Sequence, residues 1–466
     1  MVTRSRRSRC AVAIFGALLG ALALGAPVML AAQSRPADAA TLRAAVRRYR
    51  VANEGAILRE FADLLSIPNV ASDHANIRRN ADALVAMLRR RGVAARLLEQ
   101  GDASPVVYGE IVAPGAVHTI VLYAHYDGQP VDPTQWATPP WTPTLRTRAL
   151  SDGGTPIPFP SDSATHVDGE ARLYARSSGD DKASIQAMLA ALDAMRATGA
   201  APSVNVKFIF EGEEEAGSPH LGEILARNAA LLRGDALLFC DGPNHQSGRQ
   251  QVLFGVRGVT GLELTVYGPT RALHSGHYGN WAPNPGVLLA NLIASMRDDD
   301  GRIRIAGYYD DVRPLSRAER SAIAALPRVD STLRQSLGLA RTEANDAPLA
   351  ERIMAPALNV RGIRVGAVGA QAANAISTEA RASFDFRLVP NETPERVRDL
   401  VNAHLRKQGY FVTTDSVTSA MRLAHAKIAR VQWDDAGYPA SRTPMDIPVA
   451  RAVVRAITDG LGTAPL

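Results

Sequence analysis

Cysteine is scarce: the 466 residues contain two, Cys10 and Cys240. That number excludes a disulfide scaffold and any zinc finger built on cysteine. Aromatic residues make up only 5% of the chain, and no basic patch with interleaved aromatics occurs. A nucleic-acid partner is therefore not expected. The formal net charge of +6 does not reverse this, because Arg4, Arg6, Arg7 and Arg9 carry +4 of it and leave +2 for all that follows. Internal repeats and low-complexity tracts are missing too. With 46% hydrophobic and 21% charged residues, the chain is not a disordered one. Its length allows about two to four domains with ample core.

The four arginines precede an uncharged stretch from Cys10 to Ser34, with small residues near "LAAQ". A positive head, an apolar run and a small-residue site describe a secretory signal peptide over residues 1–32. The expected destination is the periplasm or the outside of the cell. The alternative is a retained anchor, since the stretch is long enough to span a bilayer; membrane contact follows only if it stays uncleaved. Cleavage leaves Cys240 as the sole thiol.

Beyond a helix-prone stretch over Leu42–Ser66, short apolar runs alternate with amphipathic ones. Ile120–Ala124, Val204–Phe210 and Ala236–Cys240 read as strands buried on both faces. Lys182–Thr198 reads as a helix with Ile185, Met188, Leu189, Leu192 and Met195 on one face, and Asn80–Arg91 as another. This alternation predicts an α/β catalytic domain with a doubly wound, mostly parallel sheet. The pattern changes near Gly258. "EARASFDFRLVP" places Ala380, Ala382, Phe384, Phe386 and Leu388 on one side and Arg381, Asp385 and Arg387 on the other, as in a sheet with one wet face. Thr393 then caps a helix that carries Pro394 in its first turn. An inserted α+β domain is expected over 258–437, between a first catalytic part over 33–257 and a return over 438–466. Asp298–Glu351 is polar and resists placement.

In an open α/β sheet, ligands bind at the carboxyl ends of the strands. The residues that follow the apolar runs are "HYDG" with His125 and Asp127, "EGEEEAGS", and Asp241. Asp180 and Asp181 stand at the entrance of the helix that begins at Lys182. Singly, each has an ordinary reading as a bonded histidine, a solvated acidic loop or a helix cap. Together, one imidazole and at least four carboxylates on one rim repel unless they protonate, separate or bind cations. That donor set suits zinc or manganese, and two ions with a water between them become possible.

Five motifs in order, "YAHYDGQPVDP…W…PPW", "GDDK", "EGEEEAGS", "CDG" and "LHSGHYGN", resemble the carnosinase, acetylornithine deacetylase and glutamate carboxypeptidase family of di-zinc metallopeptidases, with the nearest likeness to the cytosolic nonspecific dipeptidase branch. The resemblance covers about Leu42 to the end of the chain. It implies a metal-dependent peptidase that cleaves dipeptides or short peptides by attack of a metal-bridging water. His125 and Asp241 would bind the first ion, Glu215 the second, and Asp180 would bridge them. Asp127 would orient His125, and the Asp180–Asp181 peptide would be cis. Glu214 would be the general base; its choice over Glu213 rests on the family spacing alone. His274 would steady the developing oxyanion in a partner's site, Arg387 would hold the substrate's terminal carboxylate, and Asn374 would face the substrate. The inserted domain would be a lid that forms a homodimer.

The family's remaining metal ligand, a histidine near the C-terminus, has no counterpart, since no histidine follows His425. The return over 438–466 is accordingly expected to be incomplete, with a truncated sequence as the favoured reason. Two further readings stay open: an N-acyl amino acid deacylase of the same family, and a metal-poor binding homologue without catalysis.

Overall fold

The computed structural model describes residues 39–466 apart from 162–165 and 436. The leader read over residues 1–32, with Cys10, lies outside the described residues. Helix α1 (Ala39–Leu65) leads into α2 (His74–Arg90). Asp73 caps α2 by accepting from the Asn76 amide, and Ile77, Ala81, Leu84, Val85 and Leu88 form its buried stripe. This helix starts six residues before the sequence reading placed it, because the cap lies ahead of the apolar stripe.

Five strands build the first sheet: β1 (Ala94–Leu98), β2 (Val106–Ile111), β3 (Thr119–His125), β4 (Asn205–Glu211) and β5 (Ala236–Phe239), in the order β1-β2-β4-β3-β5. β3 is parallel to β4 and β5, while β2 is antiparallel to both β4 and β1. Four of the five strands therefore point one way, and the sheet is mostly parallel. Helix α3 (Lys182–Thr198) has the predicted bounds and ends on Gly199, whose φ of 71° suits a left-handed cap. Ile185 and Leu189 pack with Leu84, Leu88, Val107, Ala124, Phe208 and Phe210 in one core under this sheet.

The second sheet consists of β6 (Gly258–Tyr267), β7 (Ala357–Arg364), β8 (Glu379–Leu388), β9 (Phe411–Thr413) and β10 (Ile428–Trp433), ordered β7-β8-β6-β10-β9. β6 and β8 pair antiparallel from Gly258–Leu388 to Tyr267–Glu379. The alternation in β8 is realised: Ala380, Ala382, Phe384, Phe386 and Leu388 are buried. They pack against α4 (Pro285–Met296) through Leu289, Leu292 and Met296, and against α6 (Pro394–Lys407) through Val397, Val401 and Leu405. Thr393 caps α6 by accepting from the Arg396 amide. The polar stretch that resisted placement holds α5 (Arg317–Ala325), set by a Ser316–Glu319 capping box.

The chain crosses between the sheets twice, and the crossings pair: Gly255–Val256 runs antiparallel to Ser441–Arg442. A side chain at Gly258 would fall 2.5 Å from the Tyr438 carbonyl oxygen, so only glycine fits there. The return crossing continues into α7 (Pro448–Leu461), whose Asp459 and Leu461 carbonyls accept from Arg43 and Arg47 of α1.

Arg442 locks the return crossing to α5. Its guanidinium donates to both Glu319 oxygens at 2.5 and 2.7 Å, and the Ser316 amide donates to one of them. Burial alone would raise the Glu319 carboxyl, but the Arg442 fork and the Ser316 amide outweigh it and hold it at about 2. A depressed carboxylate stabilises the fold above its unfolded value, and this is lost as the pH falls through the folded one. Glu319→Gln is therefore expected to cost roughly 3 kcal/mol at pH 7. In denaturant titrations over pH, the gap to the parent should close between about 4.5 and 2; a gap that stays constant over that window would contradict the assignment.

Candidate metal centre

The parallel strands end on one rim. His125, the last residue of β3, is fully buried. Its Nε2 lies 2.8 Å from Asp180 Oδ1 and 3.9 Å from both Glu214 Oε2 and Asp241 Oδ1. Ligand atoms of His125, Asp180 and Asp241 all fall within 4.8 Å of one another, a group able to hold a metal ion. Asp241 follows β5 by two residues, and Asp180 belongs to the turn ahead of α3, where the Asp180–Asp181 peptide is cis. Asp241 lies just past a strand end, where the strand-end rule put it, and Asp180 at the helix entrance read from the sequence.

Asp127 is fully buried and works through the backbone. Its two oxygens accept the Glu214 and Glu215 amides at 3.1 and 3.0 Å. Its Oδ1 also lies 3.3 Å from His125 Nδ1. One carboxylate thus ties the 125–128 loop to the acidic turn after β4. Asp181 adds a second tie by accepting the His125 amide at 3.2 Å.

The run "EGEEE" divides into four side chains, three of which have separate hydrogen-bond partners. Glu211 accepts from the Tyr123 hydroxyl at 2.6 Å. Glu213 turns away from the rim, accepting the Ser104 amide at 2.8 Å and meeting His220 Nδ1 at 2.8 Å. Glu215 accepts from Gln129 Nε2 at 2.6 Å and stands outside the three-residue group. Only Glu214 is left half-exposed on the rim without a hydrogen bond to its carboxylate among the described residues.

Charge crowding marks the rim. Burial and the neighbouring Asp241 and Glu215, opposed by His125, push the Glu214 carboxyl up to about 7. Asp241 is raised by burial and by Asp180 and Glu215. Asp181 is pushed up to about 7, first by burial and then by Asp241. Burial works against the His125 imidazolium, yet Asp127 and Asp180 overcome it and raise the group to about 10. Carboxylates held this close are unfavourable without positive charge between them, and one nitrogen with several oxygens is a donor set for zinc or manganese. The residues present fit a metal on that ground.

The other predicted residues lie elsewhere. His274 is exposed on a two-residue strand paired with Ala375–Ile376, accepts from the Gly276 amide at 3.1 Å, and its ring lies 4.7 Å from that of His277 at a tilt of 32°. It makes no bond to the His125 group among the described residues. Asn374 accepts the Ser275 amide at its carbonyl. Arg387 lies on β8, 3.4 Å from Asp385 Oδ1. Sequence reasoning missed Gln129 and the fully buried Lys182. The Lys182 Nζ donates to the Leu64 carbonyl and to Asn80 Oδ1 at 2.9 and 2.7 Å. The one signal for Lys182 was its place directly after the acidic pair.

A profile of Peptidase family M20/M25/M40 matches residues 121–465. The Cys-Gly metallodipeptidase dug1 of Schizosaccharomyces pombe is 26% identical over 385 residues, 79% of this chain and 75% of its own length. The human Beta-Ala-His dipeptidase is 28% identical over 373 residues, 78% of this chain and 65% of its own. Among solved structures, the M20 family metallo-carboxypeptidase Sso-CP2 from Sulfolobus solfataricus superposes with a TM-score of 0.67 at 29% identity, covering 88% of this chain and 84% of that one. These comparisons correct the periplasmic or secreted destination read from the leader: the Cys-Gly metallodipeptidase relatives are cytosolic enzymes. No helix among the described residues is long and apolar enough to cross a membrane.

Proposed function

The chain belongs to peptidase family M20/M25/M40, and from that premise we propose that its His125 rim is the centre of a dipeptidase working with two divalent ions. It is a metallopeptidase with peptide substrates. The observation that carries the proposal is the convergence of His125, Asp180 and Asp241 within 4.8 Å, with the Glu214 carboxylate beside them. His125 and Asp241 would hold one ion, Asp180 would bridge, and Glu215 would serve the other. Zinc, or manganese in its place, would supply Lewis acidity toward the scissile carbonyl and an acidified water.

The remaining steps belong to the protein. Glu214 takes a proton from the attacking water and returns it to the leaving amine as the peptide C–N bond breaks. Burial on the rim raises this carboxyl, the direction that lets a base hold the proton until the amine leaves. Asp127 holds the turn that carries Glu214. We assign Arg387 to the substrate's terminal carboxylate, which its planar fork suits, and Asn374 to a substrate-facing position. We take 258–437 as a lid through which a homodimer forms, so that His274, exposed and apart from its own rim, steadies the oxyanion across the dimer.

Purified protein loaded with zinc or manganese should hydrolyse members of a dipeptide panel, Cys-Gly included. Turnover should vanish on chelation and return with the metal. Faster release of acetate from N-acetyl amino acids would replace the dipeptidase reading with that of a deacylase. Sedimentation of the same preparation as monomer alone would remove the dimer.

A further inference from the structure

Asn69 lies in the loop between α1 and α2, was not singled out in the sequence, and is fully buried. Its side-chain amide donates to the Tyr126 carbonyl and to Ser177 Oγ, both at 2.8 Å. Its Oδ1 accepts from the Trp141 indole at 3.3 Å. Its own carbonyl accepts the Gly128 amide at 2.9 Å. The partners settle the amide's orientation, since a carbonyl can only accept and an indole N–H can only donate. Ser177 in turn donates to the Asp127 carbonyl at 3.2 Å, and its own carbonyl accepts the Lys182 amide.

One buried side chain therefore joins three segments. These are the 125–128 loop with His125 and Asp127, the 177–182 turn with Asp180, and the Trp141 loop. The approach is tight: a Cβ on Gly128 would fall 2.4 Å from Ser177 Oγ. We infer that Asn69 is a positioning residue of the centre, fixing the His125 loop against the Asp180 turn so that their ligand atoms meet. This rests on the dipeptidase reading above. Residues behind a ligand set characteristically change metal affinity by about 10–100-fold when removed, and Asn69 holds two ligand-bearing segments at once.

The test uses metal-stripped full-length protein titrated with Co2+, followed by calorimetry and the visible absorption of the bound ion, alongside kcat, KM and the Tm of the metal-free form. For Asn69→Ala, the expected result is Co2+ affinity lower by about tenfold or more and a changed cobalt spectrum. kcat should fall and KM should stay within about twofold. Metal-free Tm should move far less than metal-loaded Tm. Trp141→Phe, which removes the indole donor and keeps an aromatic ring in its place, should show a smaller shift in the same direction, and it decides the matter where Asn69→Ala does not fold. Unchanged Co2+ affinity and spectrum in whichever of these variants folds would overturn the positioning role. A parent protein that binds no Co2+ and cleaves no dipeptide would instead overturn the reading on which it rests.

Discussion

Glu214→Gln is expected to lower kcat by about 10^3- to 10^4-fold, the upper part of the range for losing a general base, while the protein keeps its metal. The substitution preserves shape and removes the ability to take a proton. The proposed ligands are His125, Asp180, Glu215 and Asp241, with Glu214 as the base, so metal content should match the parent. Its backbone amide still donates to Asp127, so the turn stays in place. KM should move little, because the lost contact belongs to the transition state more than to substrate binding. The measurement is steady-state hydrolysis of a dipeptide with metal analysis of the same sample. Turnover within tenfold of the parent would pass the base role to another residue, and the neighbouring glutamates offer poor candidates. Glu213 is buried and bonded to Ser104 and His220, and Glu211 to Tyr123.

That division of labour shows where sequence reading stopped. Three strand ends and one helix entrance could be read as one rim, because parallel strands present their carboxyl ends on one side of a sheet. Which member of a Glu-Glu-Glu run faces the rim could not be read, since neighbouring residues in a short turn point in directions set by remote acceptors. Here the acceptor is Asp127, 87 and 88 positions away along the chain from its two donors. Asn69 was silent for a similar reason: a lone asparagine after a proline looks like turn chemistry, and only the fold brings Tyr126, Ser177 and Trp141 to it.

The fold itself was more legible. Helix α3 was read to the residue because an acidic entrance and a terminal glycine bracket its stripe, and the inward face of β8 was legible because strict alternation leaves a single register with the phenylalanines inside. β1 and β2 went unread. "AARLL" and "VVYGEI" carry too few β-branched residues or too short an alternation to stand out beside α2. The stretch after Asp298 was opaque because its helices are short, and α5 is fixed by Ser316 and Arg442 rather than by an apolar face.

The second large effect is expected at Asp127, which touches neither substrate nor metal in the proposed mechanism. Asp127→Ala removes the acceptor of two amides in the turn that carries Glu214 and Glu215, together with the carboxylate beside His125 Nδ1. Each orphaned amide costs about 1–3 kcal/mol where water cannot reach it. The turn should shift to find other partners. Loss of the group that orients a ligating histidine lowers metal affinity by up to about 100-fold, and misplacing a base by about 1 Å costs up to about 100-fold more. Turnover at metal levels that just saturate the parent should therefore drop by about 10^3-fold or beyond, and excess metal should recover only the first part. Asp127→Asn separates charge from geometry. Its single carbonyl oxygen can accept one of the two amides, while its NH2 must face the other donor, so it should fall close to the alanine variant despite its shape. The readouts are a metal titration followed by kcat at saturating metal for both variants. An asparagine variant with parental affinity and turnover would mean that neither the charge nor the paired acceptors of Asp127 hold the acidic turn.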